Sequence, residues 1–165
     1  MLTVRFYGDP VLRKTAAPVT VFDDKLKKLI KEMTETMIAE DGVGLAAPQV
    51  GESVRLAIVD TTAGEKPPLV LINPELTFFS EEKVVSEEGC LSLPEITLKI
   101  TRSARVSVRA FDENGNAYTI ENAEGLLAKA LQHETDHLNG LMIIDHVSAL
   151  QRKMLSGKLK KLAEG

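Results

Sequence analysis

LQHETDHLNG, residues 131–140, places two histidines four positions apart with a glutamate directly after the first. At helical spacing His133 and His137 share one face, and Glu134 stands beside them. This is the H-E-x-x-H arrangement, in which two imidazoles bind a divalent ion and the carboxylate reaches a water in the ion's open position. Two imidazoles alone hold a catalytic ion poorly. The fold must therefore carry a third ligand to this helix from elsewhere in the chain.

Working outward, helical spacing runs through LLAKALQHETDHLNG after Glu124, and Gly140 is placed to end that helix. Upstream, Leu26, Leu29, Ile30, Met33 and Met37 predict an amphipathic helix from Val21 to Glu40, with Asp23 or Asp24 as its cap and Gly42 as its stop. Between these helices the period changes. RLAIVD and LVLINP read as short buried strands, the second limited by Pro74. RVSVRAF alternates like a half-buried strand, and Asn114-Gly115 predicts a two-residue hairpin before YTIE. A last helix is expected from Ser148 to Leu162. The class is α+β, with antiparallel strands around the metal-bearing helix and helices toward both ends, expected as one domain over residues 1–165.

Composition narrows the function classes. A net charge of −4 over 165 residues does not call for a nucleic-acid partner. No apolar run approaches the roughly 20 residues needed to cross a bilayer. The N-terminus MLTVRFYGDPVLRK lacks a secretory apolar stretch, so a soluble cytoplasmic protein is expected. The one cysteine, Cys90, rules out an intramolecular disulfide and leaves a ligand, a nucleophile or a small buried hydrophobe.

Cys90 is also the remaining candidate for the third ligand. A third histidine spaced by glycine would make a metzincin protease, but Gly140 is followed at the ligand position by Ile143, and His146 lies three residues too late. Glu164 is the other acidic option, at the chain end. In EEGCLSLP, Gly89 offers backbone freedom and Pro94 is expected to stop regular pairing. Cys90, His133 and His137 would leave a fourth position for water. A Cys–His nucleophile, the competing reading, leaves Glu134 and one histidine without a role. On the same helical face Leu126 and Ala130 precede the histidines and either belong to the core or floor an apolar pocket.

Three segments then converge. GVGLAAPQ (42–49), EGCLS (88–92) and QHETDHLNG (132–140) resemble, in order and spacing, the signature motifs of peptide deformylases, and PVLRKTAAPV and INPE extend the resemblance over nearly the whole chain. The chain looks like the bacterial type with a helical C-terminus. The resemblance implies a metal-dependent hydrolase that removes the N-formyl group from the starting methionine of new polypeptides and releases formate. It implies Cys90, His133 and His137 as ligands of one divalent ion, Fe2+ by family analogy, with Zn2+, Ni2+ or Co2+ as replacements.

The resemblance also distributes roles. Glu134 would move the proton, while the Gln49 side chain and the Leu91 amide would face the developing oxyanion. From the residues alone, Gln49 is equally a buried amide tied to its own loop. Val43, Gly44, Gly89, Leu126 and Ala130 would contact the substrate, with Val43, Leu126, Ala130 and the His133 ring around the methionine side chain. Gly42 and Gly44 would let a peptide backbone approach, or simply shape a turn. Two departures stand out. His146 occupies a position where many relatives carry arginine, and Ser86 one where they carry an apolar pocket residue. A monomer acting on N-formylmethionyl nascent peptides is expected. Arg152, Lys153, Lys158, Lys160 and Lys161 form either a solvated face or a ribosome contact.

Overall fold

The computed structural model describes residues 1–165. Helix α1 (Asp24–Ala39) starts where the Asp23 carboxylate accepts the Leu26 N–H at 3.0 Å. Its end differs from expectation. Asp41, not Gly42, takes the left-handed conformation (φ 55°), which returns the Gly42 N–H to the Met37 carbonyl.

Five strands form an antiparallel sheet. These are β1 (Gly44–Ala46), β2 (Leu56–Val59), β3 (Leu69–Phe79), β6 (Arg105–Phe111) and β7 (Ala117–Glu124), in the order β1-β2-β3-β6-β7. β4 (Lys83–Cys90) and β5 (Leu93–Ser103) form a separate hairpin. Helix α2 (Gly125–Leu138) lies on one face of the large sheet and α1 on the other, which explains why every residue of β2 is buried. Ala57 and Val59 of β2 face α2, while Leu56 and Ile58 pack on Met33 and Met37 of α1. Small side chains, among them Ala46, Ala57, Ala110, Ala128 and Ala130, let α2 sit close to the strands. The β4–β5 hairpin has its own core, in which Leu93, Ile96 and Ile100 pack against Met142, Ile143, Ile144 and Leu159.

Four expectations are corrected. Pro74 does not end its strand, because β3 continues to Phe79 through a bulge between Ile72 and Glu75. A bulge tolerates a residue without an N–H. Asn73, at φ 51°, uses the bulge to exchange two side-chain hydrogen bonds with the Val19 backbone. Pro94 likewise sits inside β5 rather than stopping it. The hairpin at Asn114-Gly115 is wider than a two-residue turn: the Asp112 N–H donates to the Asn116 carbonyl, and Gly115 (φ 82°) takes the left-handed place. Asp112 carboxylate holds this loop by accepting from the Asn114 and Asn116 N–H groups. The terminal helix is two helices, α3 (Ala149–Met154) and α4 (Ser156–Glu164), broken at Leu155. No helix is long and apolar enough to cross a membrane.

Candidate metal centre

α2 carries His133 and His137 on one face, as their spacing predicts, and β4 delivers Cys90 to them at the mouth of its hairpin. The Cys90 Sγ lies 3.3 Å from His137 Nε2, which lies 3.2 Å from His133 Nε2. All three donor atoms fall within 4.8 Å of one another. Metal–nitrogen bonds of about 2.0–2.1 Å and a metal–sulfur bond of about 2.3 Å at tetrahedral angles require donor separations of roughly 3.3–3.6 Å. The three residues fit a divalent ion.

The ligand atoms are oriented from behind. Glu88 lies two positions before Cys90 in β4, so strand alternation turns both toward α2. Its Oε1 lies 3.0 Å from His133 Nδ1, which holds a ring proton on Nδ1 and turns Nε2 toward the place of an ion. Arg102 holds the Glu88 carboxylate through two bonds of 2.6 and 2.9 Å. Burial pushes the Glu88 carboxyl up, but His133 and Arg102 outweigh it and bring it down to about 2. Burial would also keep the Cys90 thiol protonated, yet the two imidazoles hold it well below its usual range. Burial disfavours a charged His133, but the Glu134, Cys90 and Glu88 charges carry it up to about 10. The cluster thus favours the ligand form of the thiol and the charged form of the ring, whose proton a cation can replace.

Glu134 is 4% exposed, and its Oε1 has no hydrogen-bond partner in the protein. Burial raises its carboxyl above the usual range, against the pull of the two imidazoles. A buried carboxylate oxygen without a donor is costly unless a ligand or water meets it. Gln49 Oε1 accepts the Ala46 N–H at 3.0 Å, and Nε2 donates to Ser92 Oγ at 3.1 Å with Cys90 Sγ at 3.6 Å. Gln49 is thus tied to its own loop through Oε1 while its Nε2 faces Ser92 and Cys90. The Leu91 N–H has no acceptor within the chain.

A cavity of about 530 Å³ opens over these groups, lined by Val43, Gly44, Gly89, Leu126 and Ala130 together with Gln49, Cys90, Leu91, His133 and Glu134. Val43 and Leu126 are 39% and 46% exposed, an apolar rim open to a ligand. Gly89 does not need unusual backbone freedom: it is regular strand paired with Thr97, and a Cβ there would meet only the Ile96 carbonyl at 3.8 Å. Ser86 is half-buried and does not line the cavity. His146 stands apart from the donor cluster and binds Asp136 instead. Sequence reasoning missed the roles of Glu88, Arg102 and Asp136. Alternation along β4 would have found Glu88, whereas nothing local announces that Arg102 meets both carboxylates.

A family model described as polypeptide deformylase matches residues 1–153. The peptide deformylase of Thermotoga sp. (strain RQ2) is 51% identical over 163 residues, covering 99% of this chain and 97% of the relative. Among solved structures, the Thermotoga maritima peptide deformylase is 51% identical with a TM-score of 0.85, covering 90% of this chain and 98% of that one. The Legionella pneumophila peptide deformylase superposes with a TM-score of 0.93 at 41% identity, covering 99% and 96% of the two chains. Matching motifs, fold and donor cluster agree, and the chain belongs to the peptide deformylase family, metal-dependent hydrolases that remove the N-formyl group from the starting methionine of newly made polypeptides.

Proposed function

We propose that this chain cleaves the formyl amide with Cys90, His133 and His137 as ligands of one divalent ion and Glu134 as the group that moves the proton. The observation that carries the reading is the buried, unpartnered Glu134 Oε1 beside a Cys–His–His donor set. An ion held there supplies acidification of a coordinated water and polarisation of the formyl oxygen. Glu134 accepts a proton from the attacking water and returns it to the departing amine nitrogen, so the C–N bond breaks to formate and a free N-terminus. Its burial raises its proton affinity toward that task, and such acid–base help is typically worth about 10²–10⁴-fold.

As the formyl carbon becomes tetrahedral, the second Gln49 Nε2 hydrogen and the Leu91 N–H are the donors assigned to the oxygen. The Ala46 N–H and Ser92 support this by fixing the Gln49 amide. The peptide is assigned to the open side of β1, which is an edge strand of the large sheet. An extended chain there can pair with the Gly44 segment as an added strand. Val43, Leu126, Ala130 and the His133 ring take the methionine side chain, with Gly89 along the cavity wall. Such an apolar pocket discriminates by about 1–3 kcal/mol per methylene. Preference for formyl over larger acyl groups then falls to the limited room beside Glu134.

We assign Fe2+ as the ion, with Zn2+, Ni2+ or Co2+ able to replace it. One thiolate and two imidazoles suit each of these, and the family resemblance favours iron. We place the reaction in the cytoplasm on nascent chains, with the protein acting as a monomer. Arg152, Lys153, Lys158, Lys160 and Lys161 are all exposed, which supports the same helices as a ribosome contact.

The test is anaerobic purification with metal analysis, followed by assay on formyl-Met-Ala-Ser. Formate release with both peptide bonds intact and about one iron per chain is expected. Internal cleavage without formate would overturn the reading.

A further inference from the structure

The Arg102 guanidinium that holds Glu88 also reaches Asp136 on α2. Its Nη1 donates to Asp136 Oδ2 at 3.0 Å, and the same oxygen lies 2.7 Å from His146 Nε2. His133, Glu88, Arg102, Asp136 and His146 therefore form an unbroken polar chain. It begins at the donor cluster and ends in a second cavity of about 470 Å³ behind α2. Arg102 is nearly sealed, with a side chain 6% exposed, whereas the His146 side chain is 31% exposed.

Charge explains why the far end matters. Two carboxylates, Glu88 and Asp136, share one buried guanidinium. His146 is the other side chain within hydrogen-bond reach of Asp136, and its N–H satisfies the Asp136 oxygen that Arg102 also contacts. Without that donor, Asp136 pulls harder on Arg102. The guanidinium then serves Glu88 less well, and Glu88 directs the His133 Nδ1–H less firmly.

We propose that His146 is a positioning residue that acts through Asp136, Arg102 and Glu88 to orient the His133 ring toward its ion. This rests on the reading of His133 as a metal ligand. The orientation itself can be measured without any ion or substrate.

The experiment compares wild type with His146→Ala and His146→Arg, using Glu75→Gln as a control in the same cavity. In the metal-free proteins, nitrogen-detected NMR of the His133 ring reads the Nδ1–H hydrogen bond. In the cobalt-loaded proteins, the thiolate-to-metal absorption and the rate of cobalt loss to a chelator read the site. His146→Ala is expected to shift the His133 signal and speed metal loss by roughly three- to tenfold, less than the roughly 10–100-fold of a direct ligand support. It should lower kcat with KM changed less than about twofold, since the substrate cavity is untouched. His146→Arg, which returns an N–H donor to Asp136, should restore all of these.

An unchanged His133 signal and unchanged cobalt retention in a folded His146→Ala protein would overturn the proposal, even with a lowered melting temperature. Should alanine prevent folding, His146→Leu, which also removes the donor, is judged by the same readouts. If the NMR shift appears but no variant, wild type included, releases formate, the positioning role stands and the deformylase reading fails.

Discussion

Gly44 and Glu134 meet across the floor of the cavity: a Cβ added at Gly44 would stand 2.5 Å from Glu134 Oε2 and 2.9 Å from its carboxyl carbon. The glycine is therefore required by space, not by its backbone angle. It puts strand β1 directly against the residue proposed to move the proton, which would couple the edge assigned to the peptide to the place assigned to its formyl group.

Gly44→Ala should displace the Glu134 carboxylate, because the added Cβ would overlap its Oε2 and its carboxyl carbon. Misplacement by about 1 Å costs on the order of 10²-fold in rate. Formate release should fall by about that factor with metal content unchanged. Wild-type turnover in this variant would show that the carboxylate is not held where the reaction needs it.

Glu134→Gln keeps the volume and removes the proton acceptor. Formate release is expected to drop by about 10²–10⁴-fold, with stoichiometric metal and an unchanged circular dichroism spectrum. A variant that turns over at more than about a tenth of the wild-type rate rules Glu134 out as the base.

Metal uptake should release about one proton at pH 7. Neighbouring carboxylates and Cys90 raise the His133 pKa to about 10 in the ion-free chain, so this ring favours the charged form at neutrality and loses its Nε2 proton to solvent when an ion takes that place. The ring is the assigned source of that proton, because the Cys90 thiol is held well below its usual range. Affinity should therefore climb about tenfold per pH unit around neutrality. Calorimetry in buffers of different ionisation enthalpy counts the protons, and a value near zero or two contradicts the assigned protonation.

Asp145 ties the turn after α2 to the N-terminal segment. Burial raises its carboxyl, but the Arg13 bond at 2.6 Å, the Met142 N–H at 2.8 Å and the Arg13 and Arg152 charges leave it below its ordinary value. A depressed folded pKa contributes stability above the unfolded value of about 3.9, and that stability is lost as pH falls through the folded one. Asp145→Asn should cost about 0.5–1 kcal/mol at pH 7, discounted for the partly exposed Arg13. The gap in melting temperature between variant and wild type should close below about pH 4. A gap that does not narrow at all as pH falls from about 5 to about 2 would assign the loss to packing instead.

How much of this was readable from residues alone follows the range of each interaction. Helix α2, its histidine face and the α1 cap rest on contacts three or four residues apart, so local spacing predicts them within a few positions. Strand limits depart from the sequence expectation at Pro74 and Pro94. A proline ends a strand only where its missing N–H is needed, and the bulge beside Asn73 removes that need. The terminal helix reads as continuous in sequence because Leu150, Met154, Leu155, Leu159 and Leu162 keep a helical period across the break at Leu155.

By itself, the amino-acid order determined which side chains can do the chemistry: a thiol, two imidazoles on one helical face and a carboxylate between them. Only the tertiary structure decided that the thiol reaches both rings, that Glu88 and Arg102 set the His133 proton, and that Asp136 carries this chain on to His146. The physical reason is that donor type and helical phase are written within a few residues. The meeting of β4, β5 and α2 instead depends on which faces bury together, and no local stretch encodes that.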